Sequence, residues 1–168
     1  MLSDRAAKEA WISSTIQTWG DCGHLLYMGS DVVAYALFGP GDAFPQTSHF
    51  LNGPVSGEAA FLSCLFVRED LRRHGVAKAL LQSIEKALYL RDVKAIEAFA
   101  RTTDDEETTA LGPVDFYLKN GFYVKRGHIK YPLVRLDLKT AVPWQLNLEA
   151  MLENLVVPLR QRSPAPSR

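Results

Sequence analysis

Arg72-x-x-Gly75-x-Ala77 follows directly on a nearly continuous apolar run, Ala59 to Val67, and opens a stretch with helical periodicity. Residues as small as Gly75 and Ala77 let backbone approach a ligand closely. The first-turn amides of a helix lack intrahelical acceptors, and the helix dipole adds positive potential there. Arg72, Arg73 and Lys78 add formal charge. Together these residues suit an anion the size of a pyrophosphate. An amphipathic helix with a basic, solvated start is the alternative reading. A second block, Phe116-Tyr117-x-x-x-Gly121-Phe122, lies some forty residues on.

Those motifs need elements to hold them. Ser3 and Asp4 offer N-cap chemistry for a helix over about Asp4 to Trp19, which Gly20 ends. His24 to Met28 and Val32 to Phe38 flank a Gly29-Ser30-Asp31 turn and predict a hairpin. Gly39 to Glu58 holds four glycines and three prolines in twenty residues. A loop that long in a compact domain is more often functional or mobile than merely connecting. Ala59 to Val67 predicts a central strand covered on both faces. The stripe Val76, Leu80, Ile84 and Leu88, with Leu81 and Ala87, predicts a helix, and Lys94 to Ala100 a second strand. That order is a βαβ-like unit with a right-handed crossover. A polar stretch to Thr109 precedes a short helix from Pro113 to Lys119, which Asn120-Gly121 terminates. Phe122 to Arg126 and Leu133 to Leu138 predict closing strands. A last helix is expected over Pro143 to Leu155. Residues 1–160 are expected to form one domain and 161–168 a disordered tail.

Both motifs, in this order on these elements, resemble those of the GNAT superfamily of acyl-CoA-dependent N-acyltransferases. The first matches the family's Gln/Arg-x-x-Gly-x-Gly/Ala signature, which binds the CoA pyrophosphate. The second matches the family's Leu/Phe-Tyr pair four residues before Gly-Phe. The order of elements agrees from about residue 23 to 138. The resemblance implies an α/β fold, a mixed twisted sheet flanked by helices. It implies that Leu65, Phe66 and Val67 bond the pantetheine arm where two parallel strands splay. Arg72, with the amides of Arg73, His74, Gly75, Val76, Ala77 and Lys78, would hold the diphosphate. Tyr117 would lie near the CoA sulfur. The chain departs from the family twice. Ala110 stands where an Asn often contacts pantetheine. Only one helix precedes the hairpin, so the usual first strand is expected to be absent; either the chain starts late, or a partner or another segment fills that edge. GNAT-like domains are often dimers, and a homodimer is expected.

Amide formation from acetyl-CoA needs a neutral amine, and presenting a lysine-like amine neutral at pH 7 costs roughly 4.6 kcal/mol. A general base, or a water chain leading to one, can take the proton. Glu97, midway along the strand after the binding helix, is the first carboxylate candidate and Glu58 the second; a salt-bridged strand carboxylate is the alternative for Glu97. A tyrosine stays protonated at pH 7 and can supply the leaving thiolate with a proton. Tyr117 is the candidate, and a packing aromatic is its alternative. His24, His49 and His128 are expected to be structural or solvated, and Cys64 a buried inert thiol.

Nineteen Lys and Arg balance nineteen Asp and Glu, so neither a basic nucleic-acid binder nor an acidic tail protein is indicated. Two cysteines form no disulfide framework and no metal motif, which fits a reducing, cytoplasmic setting. No apolar run approaches a membrane span. The reading is transfer of an acetyl group from acetyl-CoA to a primary amine by direct attack, with no metal. A non-catalytic acyl-CoA-binding or regulatory module of the same fold is the alternative. A nucleotide-phosphate binder is disfavoured, because neither GxxxxGK[ST] nor GxGxxG occurs. The Gly39–Glu58 loop is expected to cover or contribute to the acceptor site, or to be a surface insertion.

Overall fold

A computed structural model describes residues 2–103, 111–141 and 156–158. Helix α1 (Leu2–Thr18) leads into the hairpin β1 (Gly23–Met28) and β2 (Asp31–Pro40). Strand β3 (Ala59–Val67), helix α2 (Val76–Leu90) and strand β4 (Ala95–Phe99) follow. Then come α3 (Val114–Lys119), β5 (Tyr123–Arg126), β6 (Leu133–Asp137), α4 (Leu138–Ala141) and β7 (Val156–Pro158). The strands form one sheet in the order β5-β6-β4-β3-β2-β1-β7. Among the described strands only β3 and β4 run parallel; the other neighbours are antiparallel. This is the α/β class with a mixed sheet.

Period-two alternation divides the side chains of the strands between two cores. On one face, Ala34, Ala36, Leu62, Ile96, Ala98, Val134 and Leu136 meet α2. Leu80, Leu81, Ile84 and Leu88 of α2 are fully buried there. Each contributes about 1.5–3 kcal/mol from burial, which is why the stripe predicts this helix well. On the other face, Ala59, Phe61, Ala95, Phe99 and Leu133 form a smaller core with Val55, and Phe44 and Phe50 pack against it. The Gly39–Glu58 segment therefore builds core structure through two short 3-10 turns, Gly41–Ala43 and Pro45–His49.

The sheet edge beside β1 is occupied by another segment of the same chain. Strand β7 pairs antiparallel with it, with Val156 opposite Leu26, Val157 opposite Leu25 and Pro158 opposite His24. The sequence pattern does not reveal this strand. The helix expected over Pro143 to Leu155, the Ala110 position and the 161–168 tail lie outside the described residues. No helix among the described residues is long and apolar enough to cross a membrane.

Candidate active site

Strands β3 and β4 are paired over only three positions, Ala59 with Ala95, Ala60 with Ile96 and Phe61 with Glu97. Beyond Phe61, β3 keeps pairing with β2 as far as Val67, while β4 keeps pairing with β6 as far as Phe99. The two parallel strands thus part at the Phe61–Glu97 pair. From Leu62 onward β3 has no ladder partner on the β4 side, and Leu65, Phe66 and Val67 lie along this opening. A register shift opposite Leu37 and Phe38 leaves Ser63 as the extra residue of a bulge in the same stretch.

At the end of β3 the chain turns into α2 through the signature. Arg72 is extended, Arg73 has φ 66° and Gly75 has φ 82°. Two left-handed residues within three positions mark a strained turn, and Arg73 carries that strain without being glycine. Gly75 is the N-cap of α2 and supplies no side-chain cap. The first intrahelical bond at this end runs from Ala79 N–H to Gly75 O at 3.0 Å. The amides of Val76, Ala77 and Lys78 therefore have no acceptor within the helix. A Cβ built on Gly75 meets nothing within 4 Å, so the backbone here faces open space. Arg72, Arg73, His74 and Lys78 are exposed around it. Arg72 Nε donates to Val67 O at 3.1 Å, tying the turn to the end of β3. His74 Nδ1 lies 2.7 Å from Arg72 O; a carbonyl only accepts, so Nδ1 carries the proton.

Tyr117 sits on α3, 2% exposed, packed edge-on to Phe116 and Phe122. Burial, and secondarily the Cys64 sulfur, pushes its phenol well above the ordinary value. It is the protonated form that occupies this place at any ordinary pH. Cys64, on β3 beside the opening, is half-buried, and burial raises its thiol as well.

Glu97 is fully buried on β4 and accepts four hydrogen bonds. Ser56 N–H reaches Oε2 at 2.9 Å, and Ser56 Oγ reaches Oε1 at 2.8 Å. Lys125 Nζ lies 2.6 Å and Arg135 NH1 2.8 Å from Oε1. Lys125 Nζ also contacts Ser56 Oγ. Burial works to raise this carboxyl, but the bonds from Lys125, Ser56 and Arg135 outweigh it and hold it below the usual carboxylate range. Such a carboxylate is a poor proton acceptor, which weighs against the general-base role. Glu58, the second candidate, is exposed and bonded to Arg135 NH1 at 2.9 Å. Arg135 also holds Asp137 at 2.7 Å.

The histidines are dispersed. His24 is buried on β1 with Nδ1 2.8 Å from Ser83 Oγ of α2, His49 is exposed, and the His128 Nδ1 accepts from the Tyr131 amide at 2.9 Å. The residues that sequence reasoning missed are Ser56, Lys125 and Arg135, which surround Glu97, and Gly112 beneath Tyr117. One signal was available for Arg135: a cation between Val134 and Leu136 inside an apolar strand, where a buried charge needs a partner.

Solved structures share this fold. The PaiA N-acetyltransferase of Thermoplasma acidophilum, in complex with coenzyme A, superposes at TM-score 0.52 and 15% identity, covering 77% of this chain and 76% of that one. The ribosomal-protein-S18-alanine N-acetyltransferase of Escherichia coli gives 0.52 and 18%, covering 77% and 76%. A GNAT-like decarboxylase, GphF, in complex with isobutyryl-CoA, gives 0.55 and 18%, covering 74% and 82%. At these identities the likeness speaks for the fold. No curated protein sequence matches the chain. The family model for GNAT acetyltransferases matches residues 3–122, well over half the chain, which accordingly belongs to the acetyltransferase (GNAT) family.

Proposed function

We propose that this protein transfers an acetyl group from acetyl-CoA to a primary amine. The observation that carries the reading is the opening between β3 and β4, which leads along Leu65–Val67 to an uncapped helix start with two left-handed residues. Free strand groups suit the amides of a pantetheine arm. The uncapped amides of α2, with Arg72, Arg73 and Lys78, suit its diphosphate. Two structural neighbours hold CoA or an acyl-CoA, which supports the same ligand class here.

In the proposed reaction the neutral amine nitrogen attacks the thioester carbonyl carbon. The C–N bond forms, the C–S bond breaks, and its electron pair leaves on sulfur. Tyr117 donates its O–H to that sulfur, and the proton released by the nitrogen returns through solvent to restore the phenol. Burial keeps the phenol protonated, so its hydroxyl is present to donate. Glu97 has no such freedom, so we place no proton on it.

The strands from 23 to 158 share one sheet, which supports reading residues 1–160 as one domain. A cytoplasmic setting remains our reading. The homodimer was expected on an uncovered edge; β7 covers three residues of that edge, and a light-scattering mass near one chain would remove the dimer. The second reading is a non-catalytic acyl-CoA module, since a GNAT-like fold does not by itself specify amine transfer. Thiol release from acetyl-CoA, measured with a panel of alkylamines, polyamines and peptide N-termini beside calorimetric CoA binding, separates the two. Release that depends on an amine supports transfer. Binding with no release on any amine favours the module.

A further inference from the structure

Glu97 occupies the last paired position before β3 and β4 part, opposite Phe61. Its four hydrogen bonds come from three separate parts of the chain: Ser56 of the Gly39–Glu58 segment, Lys125 of β5 and Arg135 of β6. That segment is attached elsewhere too. At its front, Trp11 Nε1 of α1 donates to Ala43 O at 2.8 Å, and Phe44 packs edge-on between Trp11 and Phe61. In its middle, Phe50 stacks on Phe99 with centroids 3.9 Å apart, and Asn52 Nδ2 donates to Tyr131 O at 2.8 Å. At its rear, Arg126 of β5 donates to Gly53 O at 2.9 Å and to Pro54 O, and Glu97 receives both the amide and the hydroxyl of Ser56. A buried charge network of this kind adds little net stability over apolar packing, so its presence calls for another reason.

We infer that Glu97 is a positioning residue: its buried carboxylate clamps the rear arm of the Gly39–Glu58 segment to β5 and β6, and so fixes the wall beside the apex of the strand opening. The inference rests on the proposed function in one respect, that this wall faces the acceptor amine. Glu97 then governs how well the amine is held and takes no proton from it. Oε1 already receives three donors and Oε2 one, and adding a proton would remove the charge that pairs with two cations and displace at least one of these donors.

The test compares full-length wild type with Glu97→Gln and Ser56→Ala. Glu97→Gln removes the charge at nearly constant volume. Ser56→Ala removes the hydroxyl bond and leaves Glu97 paired with Lys125 and Arg135, so it serves where the Gln variant does not fold. Hydrogen exchange read by mass spectrometry should show residues 52–58 exchanging about tenfold faster or more in Glu97→Gln and by a smaller but clear factor in Ser56→Ala, which keeps the residue-56 amide on Glu97 Oε2, with α2 unchanged in both. Calorimetric CoA affinity should stay within about threefold. With whichever amine of the panel the wild type accepts, KM for the amine should rise, while kcat and the acid limb of its pH profile stay in place. Unchanged exchange at 52–58 in the folded variants overturns the clamp. So does a fall in kcat of about 100-fold or more together with loss of the acid limb, the pattern of a general base. Should wild type acetylate no amine at all, the proposed function fails, and the exchange measurement alone decides the clamp.

Discussion

The ring of Tyr117 lies across the α-carbon of Gly112, so that a methyl group there would stand 2.8 Å from Cε2 and 3.0 Å from the hydroxyl oxygen. Gly112 also accepts a bond from the Arg101 amide at 2.9 Å, so its backbone is held while the ring rests on it. Gly112→Ala should therefore displace the ring, not the strand. Overpacking of this kind costs about 1–3 kcal/mol. The cost should show in chemical denaturation and largely vanish in a Tyr117→Leu background. An equal cost in both backgrounds would mean that the two residues are not coupled.

Tyr117→Phe tests the hydroxyl alone, since it removes one atom from a packed ring. If the phenol donates to the leaving sulfur, kcat should fall by about 10²–10⁴-fold, the usual worth of a general acid. CoA affinity and melting temperature should stay put, because the interaction is made in the transition state. Turnover within about threefold of wild type would leave Tyr117 a packing residue and assign the proton to solvent.

Gly75 separates ligand contact from backbone strain. Its φ of 82° excludes a β-branched residue at acceptable cost, while asparagine tolerates that region. The space above it is open, so neither substitution meets protein. Gly75→Val should weaken CoA binding by well over about tenfold, and Gly75→Asn by less, with both variants folded. Isothermal titration reads the difference. Unchanged affinity in the Val variant would move the diphosphate away from this helix start.

Strand and helix bounds were legible where one local pattern decided them. The run Ala59 to Val67 is β3, and of the stripe Val76, Leu80, Leu81, Ile84, Ala87 and Leu88 the residues Leu80, Leu81, Ile84 and Leu88 form the buried face of α2, with Val76 and Ala87 half-buried. The environment of Glu97 was not legible. Its partners stand 41, 28 and 38 residues away in sequence, at Ser56, Lys125 and Arg135, and no local pattern links them. Strand β7 escaped for a related reason. Three residues carry no period, and their pairing depends on an edge left open at the opposite end of the chain. The motif at Arg72–Ala77 was legible because an anion site at a helix start is itself local.

His24 links strand β1 to helix α2 and makes stability depend on pH. Ser83 Oγ donates to Leu80 O at 2.7 Å, so His24 Nδ1 donates to Ser83 Oγ and the imidazole is neutral with its proton on Nδ1. Burial, and then the Arg91 charge, lowers its pKa to about 4. The unfolded chain takes up a proton near pH 6.5, while the folded chain refuses it until about pH 4. Stability is therefore full above the unfolded value and falls as pH drops through this window, by about 3 kcal/mol in all. The carboxylates held below their ordinary values, Glu97 and Asp137 among them, begin to lose their contribution as pH falls through the unfolded values of 4.5 and 3.8 and lose it fully only in more acid solution. His24→Asn keeps a donor for Ser83 and removes the titrating ring. Thermal melts between about pH 7 and pH 4.5 should show a steep fall for wild type and a shallow one for the variant. Parallel curves would mean that His24 is not the group that titrates.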